Sequence, residues 1–284
     1  MNRHILVTGA SGFVGRHVVS ALLSKSGVAV TVVGRNEEKF SMLLDKHPQL
    51  KFVEFDISQA TQDCYAQLGK PDSVIHLAWD GLPNYTLNFH FDTELPKQYN
   101  FLKKLIFGGL QNLLVAGTCF EYGMKHGSLR EDLECSPSTA YGFAKASLLN
   151  QLRYLKNERS FKLCWARLFY SYGTGQASGS LYSLLCAAIE RGDLVFNMSA
   201  GEQLRDFLPI EEVARHLVAL SHHCDDLDIV NVCSGEPISV RAFAEKIVAL
   251  KQSKIQLNLG YYGVPSYEPM AFWGDAAKLR SLSF

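Results

Sequence analysis

No apolar run in the sequence approaches the roughly 18 residues that a membrane-spanning helix requires. Charge of one sign is not in excess either, since 28 lysines and arginines stand against 28 aspartates and glutamates. A chain without a net field has no long-range attraction for nucleic acid or an anionic bilayer, so neither is expected as a partner. The seven cysteines (Cys64, Cys119, Cys135, Cys164, Cys186, Cys224, Cys233) contain no close pair, no CxxC and no zinc spacing. That scatter excludes a disulfide framework and predicts reduced, mostly buried thiols. His76 and the pair His222, His223 have no partners at ligand spacing, so no metal site is expected. No repeat, low-complexity tract or linker composition interrupts the chain. The first residues, "MNRHILVTG", enter a strand pattern at once rather than the charged-then-apolar order of a leader peptide, and the expected setting is the cytoplasm.

What is present is alternation. Strand-like runs ("HILVTG", "VAVTVVG", "KFVEFD", "SVIHLAW", "NLLVAGT", "KLCWARLFY", "IVNVC") are separated by helical patterns over 13–25, 36–45, 94–107 and 139–158. This rhythm predicts an α/β fold, a Rossmann-type doubly wound parallel sheet with helices on both faces. At 284 residues the chain is long for one core, and a smaller substrate-binding lobe is expected beside it. The expected division is 1–174 for the nucleotide-binding part with a return near 207–234, and 175–206 with 235–284 for the lobe.

The first loop, "VTGASGFVG", places Gly9, Gly12 and Gly15 between a strand and a helix. Small residues there permit a tight turn and let helix-terminal N–H groups meet a pyrophosphate. Gly9, Ser11, Gly12, Phe13, Val14 and Gly15 are therefore the candidate cofactor loop. The second strand then ends "TVVGRN", where an NAD site usually carries an acid for the ribose hydroxyls; Arg35 stands there, with no carboxylate until Glu37. An arginine suits a 2′-phosphate, so NADP is expected over NAD, with Ser11 adding a hydroxyl. Asp56 and Ile57, closing "FVEFDI", are candidates for the adenine side, although an Asp after a strand is also a common helix cap.

Thr118 ends the strand "NLLVAGT" and Tyr141 and Lys145 follow at i, i+4 in "SPSTAYGFAKASLL", a helix pattern capped by Ser138 or Thr139. That spacing puts phenol and ammonium on one face. A cation beside a phenol stabilises the phenolate, so the lysine is expected to lower the tyrosine's pKa toward working pH for proton transfer.

Taken together, "TGASGFVG", "FDI", "IHLAW", "AGTCFEYG", "YGFAK", "RLFYSYGTGQ", "RDFLPIEEVA" and "NVCSGEP" make the chain resemble the extended short-chain dehydrogenase/reductases of the NAD(P)-dependent epimerase/dehydratase family, over nearly its whole length. The resemblance implies a Ser/Thr–Tyr–Lys set of Thr118, Tyr141 and Lys145, in which Tyr141 exchanges a proton with a sugar oxygen. Lys145 would hold the nicotinamide ribose and Thr118 would hydrogen-bond the same sugar oxygen. Leu77 and Ala78 match a cofactor-lining segment. Trp79 stands where the family has a small residue and is expected to shape the sugar pocket, with Phe120 and Glu121 as further substrate contacts. Arg205 matches an arginine used on substrate pyrophosphate; a surface ion pair with Asp206 or Glu202 is its alternative role. A homodimer through the helices near Glu94 and Thr139 is also implied.

Family dehydratases carry Asp-Glu after the threonine, where this chain has Cys119 and Phe120. The expected activity is therefore NADPH-dependent reduction of a nucleotide-linked 4-keto-6-deoxyhexose, resembling the 4-ketoreductases of the CDP-abequose and dTDP-fucose synthase type that serve surface polysaccharides such as O-antigen. A 4-epimerase with retained NAD is the alternative. A non-catalytic NADP-binding regulator is the alternative from another class.

Overall fold

Val-, Ile- and Leu-rich runs cannot stay in water, and in the computed structural model, which describes residues 3–223, 225–263 and 267–282, they assemble into one seven-stranded sheet. Cys224 lies outside the described residues. The first strands are β1 (Arg3–Thr8), β2 (Val28–Gly34), β3 (Leu50–Glu54), β4 (Ser73–His76) and β5 (Asn112–Thr118). Strands Lys162–Leu168 and Asp228–Val232 complete the sheet, whose order is β3, β2, β1, β4, β5, then these two. Every neighbouring pair is parallel. Chain order reverses between β1 and β4, and in an open parallel sheet the crevice outside the strand ends at that switch is where ligands bind.

Both faces are covered. Helices Phe13–Leu23 and Ile210–His222 pack on one side around Val18, Leu22, Leu217 and Val218, and helices Leu95–Gly108 and Ala140–Leu155 cover the other around Phe101, Leu105, Leu148 and Trp165. A third apolar cluster, with Leu185, Met198, Phe243 and Ile247, belongs to the segments beyond Tyr172. Beside the main sheet stand a three-stranded sheet of Tyr170–Tyr172, Leu204–Pro209 and Pro237–Ser239, and two small strand pairs. One pair joins Gly127–Leu129 to Phe272–Gly274, so chain from both expected parts is interleaved.

Local differences from the sequence expectation have local causes. The helix expected over 36–45 is a tight turn, Glu37–Phe40, then a single helical turn, Ser41–Leu44. The Asn36 side chain accepts the Glu38 N–H at 2.8 Å, an Asx turn that winds the chain more tightly than an α-helix. The helix expected from Glu94 begins earlier, with a widened turn at His90–Glu94 in which the Leu95 N–H reaches back to the His90 carbonyl. Pro96 follows in the first turn of helix Leu95–Gly108, where its missing N–H costs nothing. Among the described residues no helix is long and apolar enough to cross a membrane, and no group of three or more His, Cys, Asp and Glu side chains is placed to hold a metal.

Candidate active site

The glycine loop is built by exclusion. Gly9 has φ +67°, and a Cβ there would lie 2.6 Å from the Ala78 backbone nitrogen; at Gly15 it would lie 2.1 Å from the Gly9 carbonyl oxygen. Only glycine allows the loop to press against β4's continuation on one side and against helix Phe13–Leu23 on the other. The helix's first turn holds no acidic residue, so its positive end faces the cleft without a competing carboxylate.

A buried chain of hydrogen bonds fixes the opposite wall. The Thr8 hydroxyl accepts the Leu77 and Ala78 N–H groups at 3.2 and 3.3 Å and pairs with His76 Nδ1 at 2.9 Å. His76 Nε2 meets Gln98 Oε1 at 2.8 Å, and Gln98 Nε2 donates to Glu94 Oε2 at 2.8 Å. Because Gln98 offers its oxygen, His76 carries its proton on Nε2, and Thr8 must donate to Nδ1. Burial, with Lys145 nearby, drives the His76 pKa down to about 3, so the ring is a neutral strut. Glu94 is closed off by the Asp80 N–H and by an ion pair with Lys97. His76, which showed no partners at ligand spacing in the sequence, is thus held by Thr8 and Gln98.

Gly9, Ser11, Gly12, Arg35, Asp56, Ile57, Leu77 and Ala78 line one cavity of about 530 Å³. Asp56 also caps the following turn, its Oδ1 accepting the Ser58 N–H at 2.9 Å, and these bonds hold its carboxyl below the usual range. Gly15 lies beneath the loop rather than on the cavity wall. Lys39 and Lys97 join the wall; the sequence analysis missed both. Lys39, four residues beyond Arg35, could have been found as a second cation at helical spacing.

A second cavity of about 350 Å³ is lined by Phe13, Val14, Trp79, Thr118, Phe120, Tyr141 and Lys145 and shares Leu77 and Trp79 with the first. Thr118, Tyr141 and Lys145 come together because β5 ends where helix Ala140–Leu155 begins. Thr118 Oγ1 accepts the Phe120 N–H at 3.3 Å, Thr139 caps the helix through the Gly142 N–H at 3.1 Å, and the Tyr141 N–H is taken by the Tyr85 carbonyl at 2.9 Å. Tyr85 also faces the cavity. It sits in an irregular loop without periodicity, so no sequence signal marked it.

Three expectations need correction. Lys145 does not lower the Tyr141 pKa here: Nζ donates to the Ala116 carbonyl at 2.8 Å and lies 4.0 Å over the Trp79 ring, but 5.9 Å from the Tyr141 centroid. Burial, seconded by Tyr85, Glu121 and Cys119, raises the phenol's pKa against a smaller lowering from the Thr118 hydroxyl, and burial brings Lys145 down to about 7. Glu121 does not face the cavity. It is 0% exposed, accepting the Thr118 N–H at 2.8 Å and Arg167 Nε at 2.7 Å. Arg205, 3% exposed, is occupied by Glu268 at 2.8 Å and by the Leu204 carbonyl at 2.9 Å, with the Phe272 ring 4.7 Å beneath it. Neither Asp206 nor Glu202 is its partner, because the Asp206 carboxylate takes the Ser234 and Gly235 N–H groups instead.

A glycine-loop cleft that runs into a Thr–Tyr–Lys cavity at the switch of a parallel sheet has a counterpart in known sequences: the model of the NAD dependent epimerase/dehydratase family matches residues 5–233. The chain belongs to that family. Among its curated relatives, dTDP-6-deoxy-L-talose 4-dehydrogenase (NAD(+)) of Aggregatibacter actinomycetemcomitans is 29% identical over 273 residues, 95% of this chain and 99% of that one. The dTDP-4-dehydro-6-deoxyglucose reductase of Escherichia coli is 23% identical, over 86% of this chain and 80% of its own. Among solved structures, UDP-glucuronic acid 4-epimerase from Bacillus cereus, in complex with UDP-glucuronic acid and NAD, superposes with a TM-score of 0.83 over 98% of this chain and 92% of that one. At 23% identity that is a likeness of fold.

Proposed function

We propose that this enzyme reduces a nucleotide-linked 4-keto-6-deoxyhexose to the 4-hydroxy sugar, with NADPH as the reductant. The observation that carries the reading is the Thr118–Tyr141–Lys145 cavity opening into the glycine-loop cleft through Leu77 and Trp79. The cleft fits a dinucleotide on this chain's own terms, because Gly9 and Gly15 leave a cradle that a Cβ would fill and the helix end above it carries no acid. Arg35 and Lys39, both exposed on that cleft wall, suit a 2′-phosphate. When bound, the reduced nicotinamide supplies hydride for the sugar's carbon 4. Tyr141, held protonated by its buried setting, donates its proton to the oxygen that becomes the alcohol, and Thr118 orients that oxygen. Lys145, on the same cavity wall, would hold the nicotinamide ribose.

Phe120, Tyr85 and Trp79 make much of the sugar cavity aromatic, a surface that suits an apolar 6-deoxy carbon. The relatives named as a 4-dehydrogenase and a 4-dehydro-6-deoxy reductase support this substrate class. A relative named UDP-glucuronate 4-epimerase, 26% identical over 98% of this chain, supports the second reading, a 4-epimerase that keeps NAD. Under the first reading Arg205 meets the substrate pyrophosphate only after Glu268 releases it. Exposed Phe143 and Tyr154 on helix Ala140–Leu155, with Phe107 on its neighbour, support a homodimer through those helices.

The test is a panel of 4-keto-6-deoxy nucleotide sugars with NADPH. Loss of nicotinamide absorbance one for one with a carbon-4 alcohol is expected. Protein that purifies with tightly bound NAD and interconverts two 4-hydroxy sugars without net absorbance change would establish the epimerase instead.

A further inference from the structure

Behind the cavity wall, and outside the chemistry described so far, lies a fully buried ion pair. Glu121 and Arg167 are 0% and 1% exposed, on the turn after β5 and on the neighbouring strand Lys162–Leu168. Taking two charges out of water is costly, and an ion pair in such a place is weak evidence for stability as its purpose. The surroundings show what the carboxylate does. Oε1 accepts the Thr118 N–H at 2.8 Å, Trp165 Nε1 donates to both oxygens at 2.9 and 3.1 Å, and Arg167 Nε donates to Oε2 at 2.7 Å. Gly117 makes this approach possible, since a Cβ there would lie 2.6 Å from Glu121 Oε1 and 2.2 Å from Trp165 Nε1.

The same short piece of backbone is gripped from the cavity side by Lys145, whose Nζ donates to the Ala116 carbonyl at 2.8 Å. The Ala116–Thr118 peptides are thus clamped between a buried carboxylate and the lysine ammonium. We propose that Glu121, although it never reaches the cavity, is a positioning residue for proton donation: it anchors Thr118 from behind and sets the negative field in which Tyr141 and Lys145 work. For the direction of proton transfer this rests on the reductase reading.

The charges facing the pair are few. Around Lys145 stand Glu121 and, from the start of helix Leu95–Gly108, Glu94, both favouring the ammonium against burial, with neutral His76 and the Trp79 face alongside. Around Tyr141 stand Tyr85, Glu121 and Cys119, which favour the neutral phenol, the His90 ring at 5.4 Å, and the Thr118 hydroxyl. Glu121 acts on both members, and for both it favours the protonated form. A ketone reduction needs that state, a loaded phenol beside an ammonium. Arg167 pairs with Glu121 while sharing its guanidinium with Cys135 Sγ at 2.8 Å and the Tyr122 ring at 4.4 Å.

The experiment compares wild type with Glu121→Gln, with Glu121→Gln/Arg167→Gln, which leaves no lone buried cation, and with Glu121→Asp, which keeps the charge. Lys145 is titrated by NMR in lysine-labelled enzyme, its resonance assigned by loss in Lys145→Arg, and circular dichroism verifies folding. Glu121→Gln is expected to move the Lys145 midpoint about one pH unit lower, the double variant to move it the same way by less because it also removes the Arg167 cation, and Glu121→Asp to return most of the shift. The alkaline limb of the kcat/KM profile moves in the same direction. If Glu121→Gln alone does not fold, the double variant and Glu121→Asp decide the matter. Folded variants whose Lys145 midpoint stays in place, with turnover lowered equally at every pH, overturn the proposal and leave Glu121 a structural residue. The lysine titration needs no sugar, so a wild type inert toward every 4-keto sugar defeats the reductase reading without touching this result.

Discussion

Lys145 holds its ammonium 4.0 Å from the centre of the Trp79 ring, and the same ring meets Tyr141 edge-on, centroids 5.8 Å apart at 73°. Trp79 is in turn fixed by its Nε1–H on His90 Nδ1 at 3.1 Å, and His90 Nε2 is held by the Asn84 carbonyl at 3.0 Å. The one tryptophan in the cavity is therefore a platform for the lysine.

Removing that platform has a readable cost. Trp79→Leu takes away a partly desolvated cation–π contact of about 1–2 kcal/mol, and kcat is expected to fall roughly 5- to 30-fold. Trp79→Phe keeps a ring face and loses only the His90 anchor, so its loss should be smaller. Steady-state kinetics of the two variants decide; equal activity in Trp79→Leu and wild type would show that the ring only fills space.

The proposed contact between Arg35 and a 2′-phosphate is open to direct test. Arg35→Asp removes a charge-assisted contact worth about 1.5–3 kcal/mol, so NADPH should bind roughly 10- to 150-fold more weakly, with preference moving toward NADH. Lys39→Ala should weaken NADPH less, because a flexible ammonium gives no forked contact. Calorimetric titration with both cofactors measures this, and wild-type protein that binds NADPH and NADH equally tightly would refute the assignment.

Tyr141→Phe keeps the buried ring and deletes the hydroxyl proposed as the proton donor. Turnover is expected to drop about 100-fold or more while NADPH binding persists. Thr118→Val should lose less, since on the proposed mechanism that hydroxyl orients the oxygen and does not supply its proton. A Tyr141→Phe enzyme with near-normal kcat would move proton donation to another group, with Tyr85 the nearest phenol on the wall.

His76 makes stability depend on acid. Its folded pKa of about 3 lies well below the ordinary 6.5, so between those values the unfolded chain binds a proton that the folded chain refuses. Stability therefore falls as pH drops from 6.5 toward 3, by up to about 1.4 kcal/mol per pH unit from this group. His76→Asn, which cannot titrate, should be less stable at neutral pH yet show a flatter decline. Urea unfolding at several pH values tests it, and parallel declines in the two proteins would remove His76 as the cause.

The alternation of apolar runs determined the parallel sheet and the glycine loop at its first turn, and helical spacing put Tyr141 and Lys145 on one face; that Thr118 joins them was what the family resemblance implied. The sheet, the loop and the spacing are local facts, written in periods of two and 3.6 residues and in the backbone angles that only glycine tolerates. Strand β5 emerged at its expected residues, Asn112–Thr118. The tertiary structure alone decided which groups neutralise one another. Glu121 follows Thr118 closely, yet its partners, Trp165 and Arg167, are 44 and 46 residues away. Arg205 is held by Glu268, 63 residues on. The Lys145–Trp79 contact likewise joins a helix to the loop after β4. Burial and long-range pairing are properties of the packed chain, and they fix a side chain's charge and direction. A motif can therefore name a tyrosine and a lysine, but only the fold shows that burial raises the tyrosine's pKa and lowers the lysine's, and that Glu121 is buried behind the wall on Thr118, Trp165 and Arg167.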